Sequence, residues 1–94
     1  MNLPTFQAFQ TQAEAQGFDE VVERRWEPLK ELGAHTHPFA VRALVVQGEM
    51  WLTIGSEATR HLGPGDEFTI DRGISHLERY GPEGATYWAA RRHG

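Results

Sequence analysis

From residue 21 to residue 90 the sequence is a succession of short apolar runs, each closed by a turn built from glycine, proline or aspartate. The runs are residues 21–26, 39–46, 49–54, 59–62, 67–70, 76–80 and 85–90. Between them stand Gln47-Gly48, Gly55-Ser56, Gly63-Pro64-Gly65-Asp66, Asp71-Arg72-Gly73 and Gly81-Pro82-Glu83-Gly84, while Pro28 and Gly33 bracket a longer loop. Strands this short and this evenly punctuated predict an all-β barrel or sandwich. No apolar run approaches the ~20 residues that a membrane helix needs, so no membrane partner is expected.

The exception is the beginning of the chain. Residues 4–16 predict a short helix, with Pro4 at its start, Phe6, Phe9 and Ala13 on one face, and Gly17 at its end. Such a helix is too short to stand alone and must dock on the strands. A chain of 94 residues and 10.6 kDa would fold to a surface of roughly 5,500 Å², enough for one compact domain and too little for two. The expected division is an N-terminal helical extension over residues 1–20 and one barrel over residues 21–94. In residues 41–46 both strand faces are apolar, Val41, Ala43 and Val45 on one and Leu44 and Val46 on the other. A strand apolar on both sides is buried on both sides. Either a second copy of the chain, giving a homodimer, or the helix through Phe6 and Phe9 would cover the outer face; the homodimer is the expectation.

The formal net charge is −4, and the one basic cluster is Arg91-Arg92-His93, so no nucleic acid is expected as a partner. There is no cysteine, which excludes disulfides, thiolate metal sites and cysteine nucleophiles. The N-terminus lacks a basic start followed by an apolar block, and the cytoplasm is the expected location. Five histidines remain as the notable chemistry, histidine being the commonest metal ligand. His35-Thr36-His37 puts two imidazoles on one side of an extended segment, a spacing that suits chelation. Alone it is also the pattern of two solvated loop histidines.

The second half of the chain adds weight. Gly65-Asp66-Glu67-Phe68-Thr69-Ile70-Asp71-Arg72-Gly73-Ile74-Ser75-His76 resembles the second motif of the cupin superfamily, G(x)5PxG(x)2H. The stretch from His35 through His37 and position 41 to Gly48 has the spacing of the first cupin motif, HxH(x)3–4E(x)6G. The resemblance extends over roughly residues 21–90, with an intermotif segment of the length found in small single-domain, RmlC-like cupins. Four positions depart from the pattern. Leu29 stands where the first motif opens on glycine, Val41 where it has its glutamate, Asp71 in place of the proline, and Tyr80 in place of the closing asparagine.

The resemblance implies a jelly-roll β-barrel with His35, His37 and His76 as a three-histidine metal site inside it. Val41 cannot ligate. The implied cofactor is a divalent transition metal: iron, zinc, manganese or nickel. With no protein carboxylate to offset it, the ion would keep its full charge and open positions for a small chelating molecule as substrate or ligand. Similar cupins include three-histidine dioxygenases, so oxygen-dependent cleavage is the leading expectation, with isomerase or lyase chemistry open. The alternative is a non-catalytic ligand- or metal-sensing module. Glu78 shares a strand face with His76 and is the candidate catalytic residue; ligand, base, support for a ligand histidine, and solvated rim charge all remain open for it. Tyr80 follows on the same face, as a proton donor or as core. Of the other residues, His61 reads as surface and His93 as frayed. Trp51, Trp88 and Phe39 read as lining or closing the barrel, Arg42 as pairing with glutamates or lying in a subunit contact, and Glu23-Arg24-Arg25 as a solvated or dimer-edge pattern.

Overall fold

The computed structural model describes residues 3–94. It contains one helix, α1 (Phe6–Ala15), and six strands, β1 (Glu20–Trp26), β2 (Glu31–His35), β3 (Ala40–Ile54), β4 (Arg60–Leu62), β5 (Glu67–Ile70) and β6 (His76–Arg92). The described chain exposes 5543 Å², as one compact domain of this mass should. Among the described residues no helix is long and apolar enough to cross a membrane.

Two long strands organise everything else. β3 and β6 pair antiparallel along nearly their whole length, from Ala40↔Arg92 to Ile54↔His76. The first part of β3 also carries β5, from Val41↔Ile70 to Leu44↔Glu67, and the last part of β6 carries β1, from Glu20↔Arg91 to Trp26↔Ala85. The remaining halves carry β4 and β2, through Met50↔Leu62 and His35↔His76. The result is the jelly-roll arrangement, two faces made from the same pair of bent strands.

The bends lie where the sequence predicts turns. Between Gly48↔Ala85 and Met50↔Tyr80, Glu49 of β3 stands opposite the whole of residues 81–84. Pro82 therefore meets no ladder acceptor and interrupts nothing. So β6 runs on through a segment expected to separate two strands. Likewise β3 absorbs Gln47-Gly48 as register shifts rather than as a hairpin turn. Residues 31–33, inside the loop expected between Pro28 and Gly33, belong instead to strand β2 because β6 supplies its partners. Leu29, at the position where the first cupin motif has glycine, takes the left-handed backbone conformation all the same, with φ 61°.

Two apolar layers result. Inside the barrel, Ala43, Val45, Met50, Leu52, Leu62, Phe68, Tyr80 and Tyr87 form the core. Outside it, Phe9 and Ala13 of α1 cover Leu44, Trp88 and Ala90. The helix starts where Thr5 caps it, the Oγ1 accepting from the Ala8 N–H at 3.0 Å, and turns off through Gly17. Arg42 ties it down, donating to Gln12 and Gln16 of the helix end and to Glu67 of β5. The outer face that argued for a second copy of the chain is thus covered within the chain by α1. Trp88 belongs to this outer layer, edge-on to Phe6 at 5.5 Å, and not to the barrel lining. Phe9 is 1% exposed, so Phe9→Ala should remove about 3 kcal/mol of stability, the low end for a buried aromatic. Urea unfolding checks this as a lowered midpoint with an unchanged slope.

Candidate metal centre

Local alternation brings the site residues inward. Along the start of β6, His76, Glu78 and Tyr80 are buried while Leu77 and Arg79 are exposed. His35 ends β2 directly opposite His76, and His37 follows in the link to β3, its carbonyl held by the Gly73 N–H at 3.0 Å. The ring centroids of His35 and His76 lie 4.2 Å apart, and His37 is 5.1 and 5.0 Å from them. One nitrogen from each ring falls within 4.8 Å of the others, which makes a group able to hold an ion.

The hydrogen bonds orient two of these rings. His35 Nδ1 lies 2.6 Å from the Gly33 carbonyl and His76 Nδ1 3.1 Å from the Ile74 carbonyl. A carbonyl only accepts, so each Nδ1 donates its proton there, and in the neutral form of either ring the lone pair is left on Nε2. Both Nε2 atoms face Glu78 Oε2, at 3.3 Å from His35 and 3.8 Å from His76. Lone pairs converging on a carboxylate oxygen repel unless a proton or a cation lies among them, and this donor set suits a divalent metal. His37, stacked on Phe39 at 4.8 Å, has its pKa lowered by burial and then by the neighbouring His76 and His35. The lowering favours the neutral form that ligation needs.

Glu78 is only 5% exposed, so it is no rim charge. Its Oε1 accepts from the Tyr80 hydroxyl at 2.5 Å and from Tyr87 at 3.4 Å. Burial, with Tyr87 and Glu78 alongside, pushes the Tyr80 phenol far above its ordinary value, and burial raises Tyr87 as well. Both phenols therefore remain donors, fixing Oε1 and leaving Oε2 toward the histidines. The three rings and Glu78 line a cavity of about 480 Å³ that opens between β1, β2 and the ends of β3 and β6.

The other histidines are elsewhere. His61 is a surface residue as expected, paired with Glu49 at 2.7 Å and stacked on Trp51 at 4.7 Å. Trp51 thus lies outside the barrel, with Arg79 over its other side, and does not line it. His93 is not frayed: its N–H donates to Asp19 at 2.6 Å and its ring meets Glu20 at 3.0 Å. Arg24 departs further from expectation. It lies on the inner face of β1 and lines the cavity. Trp26 is on the same face by strand parity, and that was the signal in the sequence that could have placed it.

A six-stranded antiparallel jelly roll with three histidines converging inside it is the cupin arrangement. No protein-family model and no curated protein sequence matches the chain. Solved structures do. An RmlC-like cupin from Shewanella frigidimarina is 20% identical with a TM-score of 0.69, covering 79% of this chain and 65% of that one. A conserved protein with a double-stranded β-helix domain from Klebsiella pneumoniae is 28% identical with a TM-score of 0.67, covering 79% of this chain and 66% of that one. Oxalate decarboxylase from Bacillus subtilis, a protein with Mn(II) centres, is 25% identical with a TM-score of 0.69, over 77% of this chain. The chain spans 20% of the length of that enzyme. The protein has the fold of the RmlC-like cupins.

Proposed function

We propose that the protein is a metal-dependent cupin enzyme that binds a small chelating molecule and moves a proton on it through Glu78. The observation that carries this is the meeting of the His35 and His76 Nε2 atoms with a buried carboxylate oxygen inside a ligand-sized cavity. His35, His37 and His76 are the ligands in this reading, and Val41, whose side chain carries no donor atom, is not. A divalent metal held by the three rings would supply an electrophilic centre, with the Glu78 carboxylate beside it and positions left for the substrate. Imidazole nitrogen suits iron, zinc, manganese and nickel alike.

The chain's own residues do the rest. Tyr80 and Tyr87 hold Oε1, so Glu78 presents Oε2 to whatever occupies the cavity. A fixed carboxylate at this place suits elimination, isomerisation or decarboxylation, each of which takes a proton from carbon or gives one to it. It favours that class over the oxygen-dependent cleavage expected from the motifs. Likeness to an oxalate decarboxylase supports the same class.

Glu78→Gln keeps the shape and the acceptor for Tyr80. It should leave metal content within about twofold and lower turnover by roughly 10²–10⁴, the usual weight of a general acid–base. The test is elemental analysis beside product formation and oxygen uptake, with iron, manganese, nickel and zinc proteins and with hydroxy-acid, diketone and thiol substrates. Unchanged turnover in Glu78→Gln removes Glu78 from the chemistry. Oxygen uptake coupled to turnover restores the dioxygenase reading, and tight binding with no turnover by any wild-type form establishes the sensing module.

A further inference from the structure

We propose that Arg24 is the anion-recognition residue of the cavity, and that the molecule bound there carries a carboxylate besides the atoms that chelate the metal. This rests on the metal-site reading above and names the class of ligand that the site takes.

The placement of Arg24 is the first ground. Val22 and Trp26 pack against the barrel core, whereas Val21 packs on the outer layer under α1. Glu23 points outward too, accepting from Trp88 Nε1 at 3.0 Å, and Arg25 is exposed beside it. By parity Arg24 stands on the interior face of β1 between two apolar residues, where a cation is not placed for packing alone.

The second ground is its lack of a counter-charge. Three arginines of the chain are half-buried: Arg24, Arg42 and Arg91. Arg42 pairs with Glu67 at 2.9 Å and Arg91 with Glu20 at 3.5 Å. Among the described residues no carboxylate lies within 4.0 Å of Arg24. Lys30, Glu31, Glu78 and Arg91 also line the cavity, and Glu78 turns its oxygens to the histidines and tyrosines rather than to Arg24. Lys30 is a second cation and Arg91 has Glu20, while Glu31 and Glu78 both lie beyond 4.0 Å of Arg24, so none pairs with it.

The third ground is its mounting. The guanidinium lies over the Trp26 ring at 4.7 Å. Trp26 is itself stacked on Tyr80 at 5.5 Å and donates to the Tyr87 hydroxyl at 3.3 Å, and Tyr87 donates to Glu78. Arg24 is thus carried on an aromatic shelf that is hydrogen-bonded to the same carboxylate facing the histidines. A planar fork carried over a ring at the cavity wall matches a carboxylate in two parallel hydrogen bonds. A molecule that chelates at the histidines and ends in a carboxylate would satisfy both walls of the cavity.

The experiment uses zinc-loaded protein and two hydroxy acids that share one chelating end. Malate carries a second carboxylate, and lactate does not. Calorimetric titration should show wild type binding malate at least about tenfold more tightly than lactate, the worth of one charge-assisted pair. In Arg24→Gln the malate affinity should fall to that of lactate, with lactate binding and zinc content unchanged. Arg24→Lys, which keeps the charge but loses the fork, should fall between the two. A thermal midpoint within a few degrees of wild type establishes that either variant is folded, and Arg24→Lys alone decides if Arg24→Gln is not. Equal binding of malate and lactate by wild type overturns the proposal. So does an equal loss of both in the variants, which would make Arg24 a support for the shelf, and so does no loss of either. Failure of wild type to hold zinc is read first, from elemental analysis, and overturns the metal reading. The Arg24 assignment then stands only if succinate binding to the metal-free protein is lost in Arg24→Gln.

Discussion

A Gly48→Ala variant should fail to fold cooperatively. Gly48 sits in the bend of β3 with φ +75°, and a methyl group there would stand 2.1 Å from the Gly84 carbonyl oxygen and 2.9 Å from the Ala85 Cα. Every atom it meets is backbone, so no side chain can swing aside. Gly84 cannot retreat, because its own Cα faces the Trp26 carbonyl, where a methyl group would stand at 2.2 Å. Three strands, β3, β6 and β1, therefore touch backbone to backbone at this corner. The left-handed backbone adds about 1–2 kcal/mol for any residue with a Cβ. With the strands forced apart the total should reach about 5 kcal/mol or more, much of the ~5–15 kcal/mol that holds a domain of this size together. Gly73→Ala separates the two contributions. Gly73 has φ +77° but nothing within 4 Å of where its Cβ would stand. It should lose only the backbone part, lowering the thermal midpoint by roughly 4–8 °C per kcal/mol. Calorimetry on both variants is the check, and equal midpoints for Gly48→Ala and Gly73→Ala would deny the close approach.

The same corner explains which parts of the fold are legible in the sequence. Strand content, the helix and the apolar faces follow from local periodicity, and α1 differs from its predicted span of residues 4–16 only at the ends. Local signals mislead where the partner decides. Gly81-Pro82-Glu83-Gly84 has the composition of a turn, yet it continues β6 because Glu49 alone stands opposite it and the bulge demands no hydrogen bond from Pro82. Residues 31–35 contain Gly33 and little that favours a strand, yet they pair with a segment more than 40 positions away in β6. The helix settles the cover of Leu44 that the strand pattern left open, and it does so through Phe9 and Ala13, residues already on its predicted face.

At the site, parity is the legible part. His76, Glu78 and Tyr80 are placed together by alternation, and the structure keeps them on one buried face. Alternation could not decide whether Glu78 stayed inside; the two tyrosine hydroxyls that accompany it do. Arg24 was hidden by its neighbours. Glu23-Arg24-Arg25 looks like a run of solvated charge, and only the inward side of Trp26 two positions on reveals that the middle residue of the three turns the other way. His93 was misplaced for a similar reason, since nothing near it in the chain foretells Asp19 and Glu20, which hold it from β1 and the turn before it.

His76→Ala should abolish stable metal binding. His76 is 3% exposed and directly opposite His35, so its ring fills the floor of the cluster and no other nitrogen can take its place. Removing it leaves two imidazoles, His35 at the end of β2 and His37 in the link to β3. The loss should exceed the ~10–100-fold that changes beyond the ligands commonly cause. His61→Ala is the control, because His61 is engaged with Glu49 and Trp51 on the outside of the barrel and should leave metal content unchanged. Stability reports the same event without chemistry. Metal at ~100 times its dissociation constant stabilises the folded state by about 2.7 kcal/mol, so added zinc should raise the thermal midpoint of wild type and of His61→Ala but not of His76→Ala. The pH dependence has a definite sign. Ligation needs neutral rings, so protons compete and the midpoint shift should shrink as pH falls through the histidine range, near 6.5 for a free ring. Burial and two neighbouring imidazoles lower the pKa of His37, which keeps that ring neutral, and available, to more acid pH than a free one. A zinc-induced shift that survives in His76→Ala would take the metal away from these three histidines.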